Sequence, residues 1–274
     1  EDDAVRCSGP GSPVDLDMLP FYDRAIVDSS AYTPFPGSIG VETKRGCALD
    51  CLYCVYGFLN GKKLRLRSPA LVVDEIEILA AEHGVRNFSF VDSVFNIPLD
   101  HAESVCAELI RRRVRVEWSA WFNEWNVSRE FIERVRDAGC RNVIFSPDCF
   151  SDESLRRCGK NIRMEDIFRC YEIVRKIDGI EVSYNFFKNP PGQTFIAFLS
   201  LMAFVAKARR ELGRRVHFEF NSIRIEPHTR LHRLAIEEGV VRKGENLLYP
   251  RQYSQKKTRY IEHLFNMMLW LKGR

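Results

Sequence analysis

Three cysteines, Cys47, Cys51 and Cys54, fall in the run Glu42-Thr-Lys-Arg-Gly-Cys-Ala-Leu-Asp-Cys-Leu-Tyr-Cys54, with Tyr53 just before the third. Thiolates spaced C-x3-C-x2-C suit three irons of a [4Fe–4S] cube and leave the fourth iron without a nearby protein ligand. An iron with an open position can hold a small molecule and pass it an electron, whereas a cube closed by four cysteines only relays electrons. Structural zinc wants four closed ligands, usually as two spaced pairs. No second Cys-x2-Cys pair stands here, and no His-x3–5-His pair has cysteines nearby. A disulfide belongs to a secretory context that the flanking residues do not show. A ferredoxin-like carrier needs a fourth cysteine shortly downstream, and the next one is Cys106.

Such a loop has to be held by a scaffold, and the chain has the length for one. At 274 residues it matches one large or two small domains, and its 45% hydrophobic and 28% charged content is ordinary for a globular protein. A net charge of +4 is too mild to argue for nucleic acid. The cluster Arg111-Arg112-Arg113 ends a predicted helix, where cations complement the helix dipole. Nine scattered cysteines point to a reducing compartment, so a cytoplasmic location is expected. Cys7, Cys106, Cys140, Cys149, Cys158 and Cys170 lie outside the motif and read mostly as small core residues, with Cys149 and Cys158 near a predicted ligand loop. The longest largely apolar run, Phe195 to Ala206, is shorter than the roughly 20 residues of a membrane span. No signal-peptide pattern precedes it, and the chain does not begin with Met, so an upstream segment is expected to be missing.

Residues 1–38 are rich in Pro, Gly and Asp and read as a linker or extended strap. From residue 39 strands and helices alternate. Predicted strands cover 39–43, 87–91, 116–121, 142–145, 181–187 and 216–225. Helical stripes lie between them, for example Leu71, Val72, Ile76, Leu79 and Ala80, or Ile167, Cys170, Ile173 and Val174. Six β-then-α units in a row predict an α/β fold with a parallel sheet and right-handed crossovers over 39–240. Six are too few for a closed eight-stranded barrel. Residues 241–274 form a C-terminal extension whose amphipathic helix, 258–271, is expected to plug one end or side of the sheet.

C-x3-C-x-aromatic-C resembles the signature of radical S-adenosylmethionine (radical SAM) enzymes, and Glu-Thr-Lys-Arg-Gly-Cys around it is similar to the cobalamin-binding branch of that superfamily. The resemblance covers nearly the whole chain. It implies the open partial (β/α)6 barrel, a [4Fe–4S] cluster held by Cys47, Cys51 and Cys54, and S-adenosylmethionine at the open iron. Only 46 residues precede Cys47, fewer than the roughly 100 that a doubly wound cobalamin domain takes, so a complete one is not expected in this chain.

In parallel α/β folds ligands bind beyond the carboxyl ends of the strands, and the later motifs fall there. Phe88-Ser-Phe-Val-Asp92-Ser-Val-Phe resembles the family phrase Phe-x-Asp-x-x-Phe, which implies Asp92 at the methionine amino group; a turn cap is the alternative for an aspartate there. Ser119, among the aromatics of the third strand, either faces the ligand or is an ordinary strand serine. Asn123 stands where relatives often carry arginine. Asp148 falls where the family glutamate contacts the ribose, and Lys160 matches a basic residue that pairs with the ligand carboxylate, a solvated lysine being the alternative. Asn185 is placed toward adenine or ribose, or else in a plain strand-end turn. Asn189 and Gln193 depart from a usual glycine and glutamate. In Arg224-Ile-Glu-Pro-His-Thr229, His228 replaces a family glycine, Thr229 reads as a helix N-cap, and His228 with His232 reads as a surface pair.

The expected function is radical SAM chemistry. By the resemblance this is cobalamin-dependent C-methylation in natural-product biosynthesis, on a small-molecule substrate, with electrons from an external flavodoxin- or ferredoxin-type donor and cobalamin from a missing N-terminal region or another chain. Three alternatives stand beside it: hydrogen abstraction with rearrangement or oxidation, RNA modification of the methylthiotransferase kind, and a non-enzymatic iron–sulfur carrier. The aromatics Trp118, Trp121, Trp125 and Tyr184 either line a substrate pocket or pack in the core.

Overall fold

Hydrophobic period switches from two to about 3.6 and back along the chain, and each switch becomes a strand or a helix. The computed structural model describes residues 13–26, 32, 35 and 37–272. In chain order the elements are β1 (Gly40–Val41), β2 (Lys44–Arg45), α1 (Tyr56–Asn60), β3 (Arg65–Leu66), α2 (Pro69–Glu82), β4 (Asn87–Phe90), α3 (Leu99–Arg112), β5 (Glu117–Phe122), α4 (Arg129–Asp137) and β6 (Cys140–Asp148). They continue with α5 (Asp152–Arg157), α6 (Met164–Val174), β7 (Glu181–Phe187), α7 (Phe195–Leu212), β8 (Val216–Asn221), β9 (Ile223–Arg224), α8 (Arg230–Glu237), β10 (Gln252–Tyr253) and α9 (Arg259–Lys272).

Six strands form one sheet in the order β1-β4-β5-β6-β7-β8, every neighbouring pair parallel. The order follows the chain, so the sheet always grows in one direction and right-handed βαβ crossovers bring the helices to one face. The parallel α/β sheet is what the alternation predicts, and its six strands match the partial barrel that the resemblance implies. One strand is shorter than its hydrophobic run. β8 ends at Asn221, and Ile223–Arg224 pairs antiparallel with Gln252–Tyr253 in a separate two-stranded sheet. The chain leaves the main sheet there because the outgoing C-terminal segment, not a sixth crossover, offers β9 its hydrogen-bond partner.

Strand alternation divides the sheet into two faces. On one, Phe88, Phe90, Trp118, Ala120, Phe122, Val143, Phe145, Val182, Tyr184 and Phe186 are buried in one core with the helices. Rings meet across it, Tyr184 lying edge-on to Phe204 of α7 at 5.4 Å and stacked with Phe145 at 5.8 Å. Burial of each such side chain contributes roughly 1.5–3 kcal/mol. The other face carries small polar residues that bond across strands, Ser89 to Ser119 at 2.6 Å, Asn142 to Ser183 at 3.0 Å and Asn185 to Ser146 at 3.2 Å.

Helix starts follow the sequence closely. Ser68 caps α2 ahead of Pro69, and Ser128, Ser151 and Thr194 cap α4, α5 and α7 through their own hydroxyls. The C-terminal helix covers the outside of the last strands. Ile261 and Phe265 are buried, with Phe265 against Phe198 of α7 and Phe220 of β8. Of the strap, the Gly9–Pro13 and Pro34–Pro36 runs lie mostly outside the described residues, as does Cys7. The part that is described is tied down. Arg24 donates to the Gly40 carbonyl and pairs with Glu75 of α2, a buried carboxylate that also binds Arg67 at 2.7 Å. Among the described residues no helix is long and apolar enough to cross a membrane.

Candidate functional site

The cysteine loop follows β2, just past the end of β1, and is clamped from three directions. The Cys47 N–H donates to the Gly61 carbonyl at 3.0 Å, the Leu52 N–H to the Cys158 carbonyl at 2.8 Å, and the Leu231 N–H to the Leu52 carbonyl at 2.9 Å. Two glycines make this possible. Gly46 has φ +98°, and a side chain there would collide with the Lys63 carbonyl. Gly159 has φ +68°, and its missing Cβ leaves room for the Asp50 carbonyl. Gly159→Ala would impose both a left-handed alanine, costing about 1–2 kcal/mol, and that collision. We expect a lower melting temperature together with weaker iron retention after reconstitution, because the Asp50 carbonyl must shift. Unchanged iron retention would show that this contact does not position the loop.

All three cysteines are free thiols, and all three line one cavity of about 390 Å³ with Leu49, Asp50, Gly57, Phe58, Lys62, His228, Thr229, Arg230 and Arg233. Burial pushes the Cys51 thiol up to about 11 and raises Cys54, while the Lys160 charge pulls both back. Among the described residues no group of three or more His, Cys, Asp or Glu side chains gathers around a single metal position. Three soft thiol donors spread around one cavity fit a cube, whose irons stand apart, better than one tetrahedral ion.

Behind the loop lies a buried polar knot. The Tyr53 hydroxyl donates to Asp148 Oδ2. Lys160 Nζ pairs with the same oxygen at 2.6 Å and donates to the Ser146 carbonyl at 2.6 Å. Asp148 itself sits at φ +65°. Burial alone would lower the Lys160 ammonium, but Asp148 and Cys51 outweigh it and raise it above its ordinary value. Burial, then the Asp148 charge, drives the Tyr53 phenol well up, so it stays a hydrogen-bond donor. Cys149 and Cys158 flank the knot, both buried, their sulfurs 3.3 Å apart.

Glu124, just beyond β5, belongs to this neighbourhood and was not foreseen. It is 1% exposed, its Oε1 has no hydrogen-bond partner among the described residues, and burial raises its carboxyl to about 8 against the pull of Lys160. Sequence offered no signal, because a glutamate after a strand ordinarily reads as a solvated loop residue.

The family model of the radical SAM superfamily matches residues 41–205, more than half of the chain. The chain belongs to the radical SAM superfamily. Among its relatives are an uncharacterized methyltransferase of Pyrococcus horikoshii, 23% identical over 231 residues that cover 83% of this chain and 48% of that protein. The tryptophan 2-C-methyltransferase of Streptomyces laurentii is 30% identical over 153 residues, 53% of this chain and 24% of that one. Among solved structures, the radical SAM methyltransferase TsrM of Kitasatospora setae, with cobalamin and a [4Fe–4S] cluster bound, superposes with a TM-score of 0.63 at 27% identity, over 73% of this chain and 37% of that one. The chain thus spans about half or less of the length of these relatives.

Within the radical SAM scaffold the expected residues do not all converge as free ligands. Tyr53, Asp148 and Lys160 meet, but bound to one another. Ser119 and Asn185 lie on the polar face of the sheet, held by Ser89 and Ser146. Asp92 departs from the expected role. Its carboxylate is buried and takes the Thr43 N–H and hydroxyl at 2.8 and 2.6 Å, the Lys44 N–H at 3.2 Å and the Lys44 ammonium at 3.2 Å. With both oxygens engaged it anchors the end of β1 and offers nothing to a ligand ammonium. Lys44, fully buried, completes its own bonds at the Phe95 carbonyl.

The departures from the family phrases have local explanations. Asn123 is occupied by Asn96 and Asn161. Asn189 reaches Ser254, the Gln255 carbonyl and Thr258, so it stitches the C-terminal segment to β7. Thr229 caps α8 as expected. His228 stands at φ +64°, which explains why glycine is usual there. Trp118 and Tyr184 are core, while Trp121 and Trp125 are exposed.

Proposed function

We propose that this chain is the radical-generating core of a cobalamin-dependent methyltransferase that methylates an unactivated carbon of a small molecule. The carrying observation is one cavity lined by Cys47, Cys51 and Cys54, with no fourth cysteine lining it among the described residues. Membership of the superfamily supports the cluster and S-adenosylmethionine as cofactors. Tryptophan 2-C-methyltransferase and the cobalamin-bound methyltransferase TsrM among the relatives support C-methylation, with cobalamin held by a further region or chain.

A bound [4Fe–4S] cluster would supply the electron that breaks a carbon–sulfur bond of S-adenosylmethionine. The chain's own residues then have definite tasks. The three thiols hold the cluster, and Gly46 and Gly159 let the loop close around it. Lys160 brings a buried positive charge beside Cys51, which offsets the negative charge of a thiolate-bound cluster. Asp148 and Lys160 keep each other ordered and desolvated, so that a ligand's hydroxyls or carboxylate can replace one partner without the site first having to organise. Ser119, Asn185 and their hydrogen-bond partners present neutral polar groups on the sheet face that leads to this knot.

Anaerobically reconstituted protein with dithionite and S-adenosylmethionine is expected to yield 5′-deoxyadenosine, or S-adenosylhomocysteine when cobalamin is supplied. Iron-loaded protein that yields neither product would reduce the chain to an electron carrier.

A further inference from the structure

The rim of the cysteine cavity carries an uneven charge. Lys62, Arg230 and Arg233 line it, with Asp50 as the only lining carboxylate among the described residues. Lys62 and Arg230 both pair with Asp50, at 2.7 and 3.1 Å, so one negative charge is shared by two cations. Lys63 stands on the same turn as Lys62, and that turn is fixed to the loop by the Cys47–Gly61 hydrogen bond and by the packing of Gly46 against the Lys63 carbonyl. Lys63 and Arg233 are exposed, and among the described residues neither side chain has an ionic or hydrogen-bonding partner. Four cations therefore face one carboxylate on this surface.

Between these charges stands an apolar centre. Phe58 and Leu59 of α1 are 61% and 67% exposed, and the His228 ring lies flat on Phe58, centroids 4.2 Å apart and planes 7° from parallel. His228 keeps that stack in a left-handed conformation, which costs a side-chain-bearing residue about 1–2 kcal/mol. An exposed aromatic centre beside a surplus of positive charge, with Lys62 and Arg230 sharing Asp50, is the anatomy of a transient protein-binding surface.

We propose that this face, built from Phe58, Lys62, Lys63, His228, Arg230 and Arg233, is the docking surface for a small acidic one-electron carrier protein. The proposal rests on the cysteine cavity holding the cluster. One electron leaves the carrier's reduced cofactor and enters the cluster, and no bond is made or broken between the proteins. Opposite charge steers the encounter, and the apolar centre seats the carrier against the cavity wall. Tuning of the cluster by these cations is a weaker account for Lys63 and Arg233, whose exposed charges are screened by water and salt.

The test is the charge-reversal variant Lys63→Glu, outside the lining of the cysteine cavity, with flavodoxin as the probe. Binding of oxidised flavodoxin is titrated calorimetrically, and cluster reduction by flavodoxin hydroquinone is followed by stopped flow, in parallel with reduction by dithionite. At low salt the variant is expected to lose about tenfold or more in both affinity and flavodoxin-driven rate, with the difference shrinking as salt rises. Iron content and the dithionite-driven rate stay within about twofold of the parent. Unchanged flavodoxin affinity and rate would overturn the proposal, as would an equal loss with both reductants, which would mark a change in the cluster itself. A wild-type protein that takes up no iron would instead remove the reading of the cysteines on which the surface depends.

Discussion

Cys51→Ser is expected to give a folded protein that binds no stable cluster. Iron in the reconstituted protein falls from about four atoms per chain to less than one, and 5′-deoxyadenosine formation disappears. A serine hydroxyl neither ionises near neutral pH nor matches iron as a soft donor, and two remaining thiolates cannot grip a cube that has only three protein corners. The fold should tolerate the change, because Cys51 is only half-buried in a loop held by backbone hydrogen bonds that do not use its sulfur. Cys106→Ser should give the opposite pattern. That thiol is buried in the core, where burial pushes it up to about 12, and a hydroxyl without a partner costs about 1–3 kcal/mol there. Iron content should stay whole while the melting temperature falls. If the two variants lost iron alike, the three-cysteine assignment would be wrong.

Glu124→Gln is expected to make the protein more stable at pH 8 and to flatten its stability profile below that. Burial holds the Glu124 carboxyl at about 8, helped by the nearby charges of Asp148 and Asp166 and opposed by Lys160 and by its own backbone N–H. Its ordinary value is 4.5. Between these two values the folded protein keeps a proton that the unfolded chain gives up, so the folded state is favoured at low pH and loses that advantage as pH rises through about 8. The linkage is on the order of a few kcal/mol across that window. Glutamine keeps the shape and a hydrogen-bonding amide but has no proton to lose. Denaturant titrations of parent and variant at pH 5, 6.5 and 8 check this. Parallel profiles would mean that Glu124 is not buried as a neutral acid.

How much could be read beforehand differs from residue to residue. Six strands in chain order, the cap at Thr229, and the loop that carries Cys47, Cys51 and Cys54 were all legible, because each depends on local chemistry within a few residues. Asp92 was not. A carboxylate after a strand has the same local signature whether it meets a ligand or a backbone, and only the return of Thr43 and Lys44 to its side decides the matter. Asp148 ends β6, but its pairing with Lys160, which follows α5, depends on the chain folding back through Gly159.

Sequence by itself determined the donor set, its spacing and the alternating elements that carry it, since thiol type, helix caps and hydrophobic period are properties of the chain. Tertiary structure alone decided which polar groups are already committed to partners, which are left open like Glu124 Oε1, and that the rim of the cysteine cavity is cationic. Those outcomes depend on side chains from distant segments meeting, as Asp50 meets Arg230 across 180 residues of chain, and local patterns carry no information about such meetings.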